Sequence, residues 1–191
     1  MEANIFMSRI NIRDISEDYS KAQRCRRKEC LIVKRANRKV MTIHLGGIYI
    51  ECLLKSIIIR KYGIVKSAVV TKQVSGRSIR CICWYNQAAY NRITSMSSIN
   101  ERVLLSNKVA QNTEHDLVRA FRQIDELYNS APGTIITALE YLNKPVNKKY
   151  IDYRYVSDDE LSDVDYHKWE ENFLIFLNYF DNRKSAFTFR I

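Results

Sequence analysis

Apolar residues surround almost the whole helical turn between Asn37 and Tyr62, with Val40, Ile43, Ile48, Cys52, Leu54 and Ile58 among them. A helix apolar on most sides sits at the centre of a bundle. Gly46 and Gly47 fall inside it and cost about 1 kcal/mol each relative to Ala, so the pattern predicts close approach of another helix, or a kink. Before it, residues from about Ser16 to Lys34 read as a basic helix, and residues 1–13 as a tail or short strand. After it the pattern changes. Gly63, Ser75-Gly76 and a Val-rich stretch (Val65, Val69, Val70, Val74) predict a small hairpin running to about Tyr85. A polar stretch rich in Ser and Asn follows. Helical spacing resumes with Thr113 as a cap for a helix beginning near Glu114, its inner face Leu117, Phe121, Ile124 and Tyr128. Ala131-Pro132-Gly133 ends that helix, and Thr134 can cap a short one with Ile135, Leu139 and Leu142 inward. Asn143 to Ser157 reads as a basic, aromatic loop. A last helix then puts Trp169, Phe173, Phe176, Leu177 and Phe180 at core spacing.

The central helix carries one polar stripe. His44, Glu51 and Lys55 stand at i, i+7 and i+11, which places them within about 40° of one another at 100° per residue. Buried charges must be paired. One reading pairs Glu51 with Lys55 at i, i+4, with His44 capping the network. The other makes the stripe a polar groove that holds a ligand or moves a proton.

Composition narrows the class. The chain has 191 residues, 46% of them apolar and 27% charged, with five Gly and two Pro. That is one domain, mainly α, long enough to bury a core, and it excludes collagen-like and disordered chains. The most apolar stretch, Ile43 to Ile59, is interrupted by His44, Glu51 and Lys55, as a buried helix would be and a membrane span would not. The acidic Glu2 and the lack of an apolar leader predict no secretory signal. Five cysteines (Cys25, Cys30, Cys52, Cys81, Cys83) predict reduced thiols in a cytoplasm. Cys81 and Cys83 lack the spacing of zinc ligands, so no metal and no cofactor are expected.

Charge is uneven. Residues 1–80 hold eighteen Lys and Arg against six Asp and Glu, and the remainder thirteen against fifteen. The stripe Lys21, Arg24, Arg26, Arg27, Lys28, Lys34, Arg35, Arg38, Lys39 contains one acid, Glu29. Nucleic-acid phosphates are the commonest partner of such a stripe; a solvated helix face or an acidic protein are the other readings. Opposite in sign, Asp158 to Glu171 holds seven acids and one Lys, suited to the first turn of the final helix.

Three histidines bear on chemistry. Arg38 and His44 stand with five residues between them. Such a pair can cleave RNA without metal, His moving a proton and Arg stabilising the phosphorane. Within one helix the six-residue step rotates by about 240° net, so the two do not share a face, and Arg38 must precede the helix and curl back, or Arg154 must serve from across the bundle. Beside Glu51, His44 is expected to have a raised pKa. His115-Asp116 opens a helix, where Asp116 suits the dipole and His115 reads as a local cap that could reach a phosphate. His167 lies in the acidic run. No P-loop, GxGxxG, HExxH or GxSxG is present.

Three segments in order resemble one family. Ile43-His-Leu-Gly-Gly-Ile-Tyr-Ile-Glu-Cys-Leu-Leu-Lys55 is similar to the central helix of HEPN domains of the "LAGYxxEcxLK" type, Glu114-His-Asp-Leu117 to their "GHDL" helix start, and Tyr150-Ile-Asp-Tyr-Arg-Tyr155 to their "RY" segment. The resemblance spans about residues 16–181, with 63–112 as an insertion in a single domain over 1–191. It implies an antiparallel helical bundle, often dimeric. It also implies a prokaryotic toxin–antitoxin or phage-defence setting beside a nucleotidyltransferase, or a defence ATPase or polymerase. Many members are metal-independent ribonucleases with an Arg–x(4–6)–His motif near a late helix. Here Arg154 is followed by His167 after twelve residues, and only Arg38 and His44 keep the spacing. Residue by residue, the resemblance carries over Glu51, Lys55, His115, Asp116 and Arg154 as a polar cluster. The expectation is a component acting on RNA, as an endoribonuclease or as a non-catalytic subunit with a basic nucleic-acid-binding face.

Overall fold

The computed structural model describes residues 11–183, without the side chains of 72–74. It is mainly helical, with a small antiparallel sheet of four strands. Two compact units divide the chain. Residues 17–61 and 113–183 form a helical unit, and residues 11–16 with 62–112 form a unit around the sheet. The expectation for residues 1–10 lies outside the described residues.

The helical unit contains α1 (Tyr19–Arg35), α2 (Lys39–Tyr62), α5 (Leu117–Arg122), α6 (Asp125–Asn129), α7 (Gly133–Asn143) and α8 (Asp163–Asp181). Ile43, Ile50, Leu54 and Ile58 of α2 have no exposed surface. α2 is long and apolar enough to cross a membrane, but 78% of its most apolar window is buried within the protein. Its glycines explain how it packs. A Cβ on Gly46 would stand 2.6 Å from the Trp169 ring of α8, and one on Gly47 would stand 2.1 Å from the Tyr150 ring. The close approach expected of a second helix holds at Gly46, whereas Gly47 is met by a tyrosine from an irregular segment.

Asp158 caps α2 from far along the chain. Its carboxylate accepts the Val40 amide at 2.8 Å and Arg38 Nε at 2.9 Å. Lys39 pairs with Asp163 in the first turn of α8, which Ser162 caps through the Asp165 amide at 3.1 Å. The acids from 158 onward therefore serve the starts of two helices, where negative charge meets the positive end of the dipole.

Three local expectations change. Thr113 does not cap the next helix; Asp116 does, accepting the Arg119 amide at 3.0 Å, after Glu114 turns the chain at φ 54°. The single helix expected over Leu117 to Tyr128 is two short ones. At Gln123 and Ile124 the amides reach the carbonyls three residues back, a tightening that carries Ile124 and Leu127 into the core with no exposed surface. Pro132, not Thr134, stands at the cap of α7. The stretch expected as loop, Asn143 to Ser157, holds two 3₁₀ turns, at Pro145–Asn147 and Tyr150–Tyr155, and a third follows it at Asp158–Glu160; the second buries Tyr150 and Tyr153.

The other unit is a meander of β1 (Ile12–Asp14), β2 (Ile64–Val74), β3 (Arg77–Asn86) and β4 (Ala110–Asn112) in that order, with α3 (Gln87–Thr94) and α4 (Glu101–Asn107). Alternate residues Ala68, Val70, Cys81, Cys83 and Tyr85 form one face and pack on Ala89, Ile93 and Leu104 of the two helices. Asn86 and Asn100 cap those helices through the amides of Ala89 and Val103.

Candidate functional site

The polar stripe of α2 meets the chain again at two distant points. Lys55 Nζ lies 2.5 Å from Glu51 Oε1, and both side chains are buried. His115 Nδ1 lies 3.0 Å from Glu51 Oε2, and the Tyr150 hydroxyl donates to the same oxygen. Lys55 also stands 5.3 Å from the centre of the Tyr19 ring, a cation over an aromatic face. Burial alone would raise the Glu51 carboxyl above its ordinary range. The hydrogen bond from His115, the Lys55 charge and the Tyr150 hydroxyl outweigh it, and the group stays below that range. Burial and the facing carboxylate push the Tyr150 phenol far up, so it keeps its proton and donates it to Glu51.

Tyr150 also reaches the third polar residue of α2. Its carbonyl lies 3.2 Å from His44 Nδ1. One tyrosine therefore links two histidines, directly to His44 through its backbone and to His115 through Glu51. The His115 and Tyr150 rings meet edge to face at 6.4 Å. Each histidine is held through Nδ1, and neither Nε2 has a hydrogen-bond partner among the described residues. His44 is buried, while 49% of the His115 side-chain surface is open. Contrary to the sequence expectation, the His44 pKa is lowered. Burial is the chief cause, with the charges of Arg154, Arg26 and His115 acting the same way against the Tyr150 carbonyl.

The arginines part company. Arg38 precedes α2, but its guanidinium is held by Asp158. Arg154 lies exposed in the 3₁₀ turn that carries Tyr150, over the Tyr155 ring at 4.6 Å, and its charge reaches His44. It makes no ion pair with Glu51; the partners there are Lys55, His115 and Tyr150. Asp116 is occupied with the Arg119 amide.

The basic stripe also divides. Arg26 pairs with Glu29, Lys34 with Glu170 and Lys39 with Asp163. Lys21, Arg24, Lys28 and Arg35 lie exposed along one face of α1 at helical spacing, and with Arg27, which faces another side, have no ion-pair partner among the described residues. Leu31 and Ile32 share the Lys21 face, 47% and 63% exposed.

Spacing alone reads His115 as a local cap, and only the family resemblance groups it with Glu51. That partner is sixty-four positions away, beyond any spacing rule, and the weak signal was a histidine followed by a helix-capping Asp. Among the described residues no cluster of three His, Cys, Asp or Glu has metal-site geometry, and all five cysteines are free thiols. No family model, curated protein or solved structure matches the chain.

Proposed function

We propose that this chain is a HEPN-like component of a prokaryotic defence or toxin–antitoxin system that cleaves RNA without metal. The observation that carries the reading is Tyr150 linking two histidines, each held at Nδ1 and each with Nε2 free to exchange a proton. His44, kept neutral by burial, accepts the proton of a ribose 2′-hydroxyl. The 2′-oxygen bonds the adjacent phosphorus, the P–O5′ bond breaks, and protonated His115 gives its proton to the leaving 5′-oxygen. Glu51 fixes the His115 ring. Arg154, whose charge already reaches His44, balances charge on the phosphorane. Arg38, tied to Asp158, is not assigned a part. The products are a 2′,3′-cyclic phosphate and a 5′-hydroxyl.

The exposed cations Lys21, Arg24, Lys28 and Arg35 suit an RNA backbone. In this reading the chain works in the cytoplasm, as a homodimer or beside a nucleotidyltransferase, ATPase or polymerase. The test is purified protein on total RNA in EDTA. Wild type yields cyclic-phosphate ends, and His44→Ala and His115→Ala each lose about 100-fold or more. Equal cleavage by both variants, or no cleavage by wild type, would sink the reading.

A second reading has its own support. Leu31 and Ile32, exposed among the α1 cations, suit a partner helix with acidic and apolar residues better than a phosphate backbone. In that case the chain is a non-catalytic subunit, and the Glu51 cluster is structural.

A further inference from the structure

The basic, aromatic segment from Asn143 to Ser157 supplies Tyr150 and Arg154 to the histidine site and leaves its other residues unassigned. It holds four cations, Lys144, Lys148, Lys149 and Arg154, against one acid, Asp152. All four cations are exposed, and none has an ion-pair partner among the described residues. Before Lys148 the chain bends sharply. Val146 and Asn147 both hold left-handed backbone, with φ of 48° and 64°, which a β-branched residue adopts only where its surroundings impose it.

The three tyrosines of the segment are placed differently. Tyr150 and Tyr153 are buried, whereas Tyr155 keeps 76% of its surface open. The Tyr155 ring meets the Arg154 guanidinium at 4.6 Å and makes no other ring contact or side-chain hydrogen bond among the described residues. A single exposed aromatic is ordinary on a protein surface, but this one rides on a turn that is tied down. The Tyr153 hydroxyl donates to the Pro145 carbonyl at 2.8 Å, and the Val156 amide to the Tyr153 carbonyl at 3.0 Å. The turn begins at Tyr150, whose carbonyl meets His44. At about 2 Å of rise per residue, Tyr155 follows about 10 Å along it.

We infer that this segment binds unpaired RNA, with Tyr155 stacking on a base beside the cleaved phosphate and Lys148 and Lys149 on backbone phosphates farther along the strand. Cations that track the backbone and a ring that takes a base are how single strands are held. Arg154 lies on one face of the Tyr155 ring, so the base takes the other. A base paired within an A-form helix keeps its faces inside the stack and does not reach such a ring. The substrate is therefore a single-stranded segment or loop, not a duplex. The inference rests on the ribonuclease reading for the position of the cut, while the binding is measurable without cleavage.

The test uses the full chain and two labelled probes in fluorescence anisotropy: a short 2′-O-methyl RNA single strand, and a blunt duplex of the same sequence and chemistry. Methylation blocks 2′-hydroxyl transfer, so binding is read whether or not the protein cuts. Tyr155→Ala is expected to weaken single-strand binding about tenfold, the size of one base stack, and to leave duplex binding as in wild type. Tyr155→Phe and Tyr155→Trp keep a flat ring and should restore binding; Tyr155→Leu keeps apolar surface without a ring and should not. Lys148→Gln/Lys149→Gln should lower the log–log salt slope on the single strand by about 1.4, at about 0.7 per contact. Circular dichroism on each variant guards against unfolding. Unchanged single-strand affinity in Tyr155→Ala, rescue by Leu as good as by Phe, an equal loss on the duplex, an unchanged slope in the lysine variant, or no binding by wild type at low salt would overturn the inference. Cleavage of total RNA in EDTA separates it from the reading it rests on. Wild type that binds through Tyr155 yet cuts nothing keeps the binding surface and loses the chemistry. Cleavage lost in His44→Ala, with binding unaltered in Tyr155→Ala, keeps the chemistry and removes the stacking platform.

Discussion

Asp158 stands 118 positions after Val40, yet its carboxylate accepts the Val40 amide at 2.8 Å and Arg38 Nε at 2.9 Å. The most buried helix of the protein is thus capped by a side chain from a 3₁₀ turn near the other end of the chain. Removing an N-cap carboxylate costs about 1 kcal/mol. Asp158→Ala should lower thermal stability by about that amount, and Asp158→Asn, which keeps an acceptor, by less. Equal melting temperatures for wild type and Asp158→Ala would show that the cap contributes nothing.

Glu51 is the most consequential single carboxylate. Its removal leaves Lys55 buried without its counter-ion, and such losses run to about 3 kcal/mol or more. Glu51→Ala should therefore unfold at markedly lower denaturant. Because the folded-state pKa is depressed, the stabilisation is complete above the ordinary carboxyl pKa of 4.5 and is lost as pH falls through the lower folded value. Urea midpoints from pH 7 to 3 would show this as a decline that Glu51→Gln lacks.

His44 has the opposite charge type and a related pH dependence. With its pKa lowered by burial, the unfolded chain binds a proton first as pH falls from about 6.5, and stability declines from there until the folded value is passed. A histidine NMR titration should find His44 titrating below 6.5. If His44 is the base, the acid limb of the cleavage rate should follow it. A titration at or above 6.5 would contradict the burial argument.

Gly47 tests how closely Tyr150 must approach α2. A methyl there would fall 2.3 Å from Tyr150 Cγ and 2.8 Å from its Cβ; a rotamer change can swing the ring away but leaves Cβ where it is. Overpacking of this kind costs about 1–3 kcal/mol. Gly47→Ala should lose that stability, and by displacing Tyr150 it should also raise the Glu51 pKa. Wild-type melting in Gly47→Ala would show that the 3₁₀ turn gives way freely.

The face of α1 separates its two partner readings. Lys21→Glu, Arg24→Glu, Lys28→Glu and Arg35→Glu together should abolish the RNA contact and leave folding intact, since none has an ion-pair partner among the described residues. Leu31→Ser/Ile32→Ser should spare RNA binding and weaken only a protein partner. If the apolar pair matters for RNA and the cations do not, the phosphate assignment fails.

What could be read from the sequence was what local periodicity encodes. Glu51 and Lys55 are four apart on one helix, so their pairing is a property of spacing. The hairpin announced itself through its turn residues and valines. The helices α3 and α4 lay in a stretch without a period, although Asn86 and Asn100 were caps in plain view; each helix is too short to accumulate a repeat. The links from His115 and Tyr150 to Glu51 join residues 64 and 99 positions apart, and tertiary packing alone decides them. The lowered His44 pKa was missed for the same cause: its depth and the nearby Arg154 belong to the folded protein.

The spacing of Glu51's partners also orders events during synthesis. Lys55 emerges from the ribosome almost with Glu51, but His115 follows 64 residues later and Tyr150 99 residues later, with residues 62–112 of the sheet unit translated in between. At about 5–20 residues per second, the tyrosine arrives about 5–20 s after the carboxylate it will bond. Throughout that interval α2, almost uniformly apolar, has no α8 to cover its glycine face. The nascent chain therefore carries an interval of exposure to chaperones and to self-association that the finished protein conceals, and the i, i+4 lysine is the one partner of the cluster that Glu51 has from the start.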